Sequence, residues 1–120
     1  METKAAVRAL AALAQGTRLE VFRLLVEAGH GGRAAGEIAE AVGVAPATLS
    51  FHLKELANAG LADSRQDGRH VIYGANFQTM SALLSYLTEN CCARDASRCA
   101  AEPCTTPDAA PRRARRPTAR

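Results

Sequence analysis

The residues best suited to chemistry are four cysteines, Cys91, Cys92, Cys99 and Cys104. They run as an adjacent pair, six other residues, a third thiol, four more residues and a fourth. That is neither the C-x-x-C pairing of zinc ribbons nor that of thioredoxin-like sites. Adjacent thiols suit a soft ion that accepts a compressed geometry. Trivalent arsenic or antimony takes three thiolates on a pyramid, with its lone pair on the open side; methylated trivalent arsenic needs only two. Cys91 and Cys92 would give two sulfurs and the returning chain a third. Other chemistries stay open on spacing alone. Oxidation could pair Cys99 or Cys104 with one of the adjacent thiols. Cd(II), Pb(II) or Zn(II) could be bound, or the thiols could have no role.

These thiols lie where no core can form. The chain has 120 residues, and its 48% apolar content includes 26 alanines. From Thr88 onward the last 33 residues hold no Val, Ile, Leu, Met, Phe, Trp or Tyr. This stretch is expected to be mobile. It divides into a Cys-rich segment, 91–104, and an Arg-rich tail, 105–120. A folded unit over 3–90 remains, with a thin core that dimerisation would enlarge. The net charge of +3 is uneven: five arginines put +5 on residues 111–120, and the first 110 residues carry −2. A uniformly cationic nucleic-acid binder is excluded. The tail is expected to add general phosphate attraction or nothing. The chain shows no secretory signal and no apolar run near the ~18 residues of a membrane span. It is therefore expected in the cytoplasm, without membrane contact, where clustered thiols serve as ligands or redox groups rather than structural disulfides.

Five helices and a hairpin must position these residues. Thr3–Ala14 carries Val7, Leu10 and Leu13 on one stripe and predicts a short helix. Thr17 and Glu20 form a capping-box pattern ahead of an apolar run, Leu19 to Val26, expected to be the central buried helix. A helix over 35–42 turns Ile38, Ala39 and Val42 inward and stops at Gly43. Pro46 opens the next helix, which runs to Asn58 with Leu49, Leu53 and Leu56 inward. Between Leu61 and Gly74 two short runs flank Asp67-Gly68, which predicts a hairpin with a type I′ turn. Asn76 can cap a last helix bearing Phe77, Met80, Leu84 and Leu87, whose stripe extends to Cys91.

Two helices joined through Gly43-Val44-Ala45 are a helix-turn-helix candidate. Ala39 is small where the helices approach, Gly43 permits the turn, and Leu49 anchors the second helix. An ordinary helical hairpin would share those features. The Gly-tipped hairpin that follows makes the order that of a winged helix. The fold class is thus mainly α with a β-hairpin wing.

The stretch Ala45 to Leu61 and then Asp67 to Tyr73 resembles the ArsR/SmtB family of metalloregulatory repressors. Ser50-Phe51-His52-Leu53, Ala59-Gly60-Leu61 and Gly68-Arg69 with Tyr73 carry the resemblance. Gly16-Thr17-Arg18-Leu19 resembles the start of the family's second helix. The resemblance implies a homodimer on a palindromic double-stranded operator, with the first and last helices at the interface. The apolar residues of those helices, Val7, Leu10, Phe77, Met80, Leu84 and Leu87, are the corresponding candidates. On the second helix of the motif, Ala47, Ser50, Phe51 and Lys54 share a face opposite the leucines and form the groove-facing set. Phe51 departs from the polar residue usual there; it would meet a thymine methyl or simply pack. His52 lies at the edge of that face, either as a structural histidine or as a base reader. Arg65 and Arg69 flank the wing tip as phosphate or minor-groove candidates.

Family members that sense arsenite at the helix before the reading helix, zinc on the last helix, or cadmium or lead through an N-terminal arm use cysteines or histidines missing from those positions here. The remaining likeness is to an arsenic-sensing branch with vicinal cysteines just after the last helix and a third a few residues on. Cys91, Cys92 and Cys99 match it, and Cys104 is an additional or alternative ligand. The resemblance thus implies a repressor released by As(III) or Sb(III). No nucleophile–base arrangement, phosphate loop or organic-cofactor motif is visible, which argues against a small thiol enzyme.

Overall fold

The structure is a computed structural model that describes residues 1–94. It divides into two compact units, Met1–Tyr86 and a second that begins at Leu87. Five helices, α1 (Thr3–Leu13), α2 (Gly16–Ala28), α3 (Ala35–Val42), α4 (Pro46–Asn58) and α5 (Phe77–Thr88), combine with strands β1 (Arg33–Ala34), β2 (Ala62–Asp67) and β3 (His70–Ala75). The antiparallel sheet has the order β1-β3-β2. The core is built on Val21, Leu25, Ile38, Leu49, Leu53, Leu56 and Leu61, all essentially without solvent contact.

The first helix packs on the body through its alanines. Its buried residues are Ala6, Ala9 and Ala12. This alanine stripe brings α1 close to the body. Val7 and Leu10 lie about 100° further round the helix and stay exposed, Val7 by 57%. Helix α2 starts earlier than the Thr17–Glu20 capping box predicts. Gln15 is the extended N-cap, and its side-chain oxygen accepts the Arg18 amide at 2.9 Å. The Leu19 amide bonds the Gln15 carbonyl at 2.9 Å, so Gln15 takes the capping role that the Thr17–Glu20 pattern gives to Thr17.

Helices α3 and α4 follow the predicted pattern closely. Glu37 reaches back to the Ala34 amide. Gly43 ends α3 in the left-handed region, φ 80°. The Ala39 carbonyl accepts from both Gly43 (2.8 Å) and Val44 (3.2 Å), which turns the chain into α4. Pro46 occupies the first turn of α4. Leu49, Leu53 and Leu56 are buried beneath it.

The wing differs at both ends. Asp67 pairs with His70, so the two-residue loop is Gly68-Arg69, not Asp67-Gly68. Gly68 has φ +64°, and Arg69 is not among the residues of positive φ. Positive φ at the first loop residue alone is the type II′ pattern; type I′ needs it at both. Strand β1, absent from the sequence reading, pairs Arg33 with Tyr73 and Ala34 with Ile72. Gly32 makes this possible. Its φ is +72°, and a Cβ there would stand 2.5 Å from the Tyr73 carbonyl oxygen.

Asn76 caps α5 as expected, accepting the Thr79 amide at 3.0 Å. His30 packs edge-on against Phe77, ring centroids 4.9 Å apart. The helix stops at Thr88, three residues short of Cys91. Among the described residues no helix is long and apolar enough to cross a membrane.

Candidate nucleic-acid interface and thiol pair

Helix α4 sets one face into the core and presents the other to solvent. Ala47, Ser50, Phe51 and Lys54 are all exposed, as their spacing predicts. Phe51 is 56% exposed, so it does not simply pack. The face thus offers a hydroxyl, an aromatic ring and a cation within two turns of helix. Ser50 can bond a base edge or a phosphate, and Lys54 suits a phosphate.

His52 is not part of that face. It is 7% exposed, the one buried polar residue among the described residues. Its Nδ1 lies 3.3 Å from Arg18 Nη1, and Arg18 Nε donates to the Ala12 carbonyl at 2.7 Å. Arginine only donates, so Nδ1 must be the acceptor and the ring proton sits on Nε2. The structural reading of His52 therefore replaces the base-reading one. Arg18 was missed as a site residue. It ties the C-terminal turn of α1 to the middle of α4, and its position in the Gly16–Leu19 motif was the available signal.

The two wing arginines part company. Arg69 is exposed in the tip loop. Arg65 pairs with Ile72, two residues down the strand from Asp67, and its Nη2 donates to the Gly31 carbonyl at 2.9 Å. It braces the wing against the turn before β1 rather than flanking the tip.

On α5, Leu84 and Leu87 are exposed, while Met80 is partly buried against the core. Phe77 is half-buried against His30. Val7, Leu10, Leu84 and Leu87 are thus the interface candidates with open apolar surface.

Cys91 and Cys92 follow α5 in a turn, where the Cys91 amide bonds the Thr88 carbonyl at 3.0 Å. Adjacent side chains diverge in a helix or a strand. Here Asn90 (φ 59°) and Cys92 (φ 62°) are left-handed, and the two sulfurs lie 3.6 Å apart. That is far beyond a disulfide bond of about 2.05 Å, and both residues are thiols. They fit as two donors to one soft ion. Among the described residues no group of three or more His, Cys, Asp or Glu is placed to hold a metal. Cys99 and Cys104, like the 105–120 tail, lie outside the described residues.

A helix-turn-helix domain family matches residues 13–65. The chain is similar to the HTH-type transcriptional regulator YgaV of Escherichia coli K12, 28% identical over 83 residues, or 69% of this chain and 82% of YgaV. Its fold is that of an ArsR-like transcriptional regulator from Rhodococcus sp. RHA1, with TM-score 0.67 and 24% identity over 78% of this chain and 86% of the other. A homodimeric winged helix-turn-helix DNA-binding domain from Mycobacterium bovis, described as a possible ArsR-family transcriptional regulator, is 30% identical. That match covers 72% of this chain and 81% of the other, with TM-score 0.59.

Proposed function

The chain belongs to the ArsR family of winged helix-turn-helix transcriptional regulators, and from that premise we propose that it is a dimeric repressor released from its operator by trivalent arsenic or antimony. As a regulator of this family it is a DNA-binding protein rather than an enzyme. The reading of its inducer is carried by the 3.6 Å approach of the Cys91 and Cys92 sulfurs. A soft trivalent ion bound there takes two thiolates at once. Cys99 would complete a three-thiolate set, with Cys104 as the alternative, whereas methylated trivalent arsenic would need only the adjacent pair.

The DNA side is assigned to Ala47, Ser50, Phe51 and Lys54 of α4 and to Arg69 at the wing tip. All five are exposed in the described structure. In a two-fold dimer the two α4 helices enter successive major grooves of a palindrome, about 34 Å apart. Val7, Leu10 and Leu84, exposed in the first unit, are the residues assigned to self-association, and Leu87 is exposed in the second. Ion binding just beyond α5 would favour a dimer geometry in which the reading helices no longer match that spacing. A hundredfold loss of operator affinity requires only about 3 kcal/mol of coupling.

The test is operator binding by the purified, reduced protein during titration with As(III), Sb(III), methylarsenite, Cd(II), Zn(II) and peroxide. Release by trivalent arsenicals or antimonials at lower concentration than by the other agents supports the proposal. Release by peroxide alone, or by Cd(II) or Zn(II) alone, replaces it with a redox-sensing or borderline-metal repressor.

A further inference from the structure

We propose that Phe51 determines part of the operator sequence by reading the 5-methyl group of a thymine in each half-site. The inference rests on α4 being the helix that enters the major groove. Phe51 sits near the middle of α4 and is 56% exposed. The core beneath α4 is closed by Leu49, Leu53 and Leu56 without it. An exposed phenyl ring there contributes little to folding and has no hydrogen-bonding atom to offer.

The base edges narrow what such a ring can recognise. In the major groove the purines present donors and acceptors at their exocyclic and N7 positions and cytosine an amino donor beside a bare C5–H, whereas thymine alone carries a methyl group. A phenyl ring pressed on a polar edge strips water from it without giving a bond in return. Pressed on the thymine methyl, it buries apolar surface on both sides. The neighbours suit this approach. Ala47, one turn before Phe51, and Ser50 beside it are small and exposed, and Lys54 follows at the next turn to meet a phosphate.

The ring is also backed by buried structure. It meets the His52 ring edge-on, with centroids 5.5 Å apart and planes at 61°. His52 is in turn held by Arg18. A ring so supported gives up less rotamer freedom on binding than one standing alone on the surface.

The experiment uses the full-length reduced protein and duplexes that it selects from a random-sequence pool. Each thymine of a selected duplex is then replaced singly by uracil, which removes only the methyl group. One symmetry-related thymine per half-site should be sensitive. Uracil there should weaken wild-type binding about fourfold per half-site, the value of one buried methyl group, and about fifteenfold in both. Phe51→Ala should bind the thymine and uracil duplexes equally, and Phe51→Leu should retain part of the preference. Selected duplexes that tolerate uracil at every position overturn the inference, as does a Phe51→Ala protein that still discriminates. A pool that yields no enriched sequence overturns the DNA-reading assignment of α4 itself, and Phe51 with it.

Discussion

A guanidinium and an imidazole decide how α4 is held. Arg18 satisfies two partly buried acceptors, the Ala12 carbonyl and His52 Nδ1. Arg18→Ala leaves both without a donor. Each unmet partly buried acceptor costs about 1–3 kcal/mol; the variant should unfold at a denaturant concentration well below wild type, with an unchanged m-value. Equal stability would remove Arg18 from the account. The Ser-Phe-His-Leu stretch could be read from the sequence as a helix with an inward and an outward face. Which face His52 took could not, because it sits on the boundary and its direction depends on an arginine 34 residues away. The same holds for Arg65: its partner is the Gly31 carbonyl, a backbone atom to which no spacing rule points.

At the scale of elements, α3, the Gly43 turn and α4 were legible because each has its own local signal: an apolar period, a stop glycine and a proline in the first turn. Strand β1 was not legible, since two residues carry no period. Its signal lay in Gly32, where φ +72° and the 2.5 Å approach to Tyr73 leave no room for a side chain. Gly32→Ala should detach β1 from β3 and destabilise the fold by more than the about 1 kcal/mol of an ordinary glycine replacement. Hydrogen exchange at the β1–β3 pairs would report it; protection equal to wild type would contradict the assignment. Lys54, exposed on α4, is a cation suited to a phosphate. Lys54→Ala should weaken all duplexes alike and flatten the log–log salt dependence by about 2 for the dimer. An unchanged slope in a salt titration would place Lys54 off the backbone.

For the whole molecule, charge was a poor guide and apolar exposure a better one. The +3 net charge is a property of the last ten residues, whereas the reading face needs only a few local cations. The resemblance implies self-association through the first and last helices, and of the six apolar candidates there the fold leaves Val7, Leu10, Leu84 and Leu87 exposed, with Phe77 and Met80 partly buried. What spacing missed is the alanine stripe of α1, because Ala is helix-forming on any face. It is this stripe that turns the larger residues outward. Leu84, 56% exposed, is the place to test dimerisation. Leu84→Asp should give a folded monomer by sedimentation equilibrium and lose operator affinity, since a single half-site forfeits the paired contact. A Leu84→Asp dimer would put the interface elsewhere.

Control of DNA release by the thiols beyond α5 is tested most directly by removing them. A Cys91→Ser, Cys92→Ser, Cys99→Ser triple variant should bind the operator as tightly as the wild type and stay bound through an arsenite titration that releases the wild-type protein. A triple variant still released by arsenite at the same concentration would contradict the account.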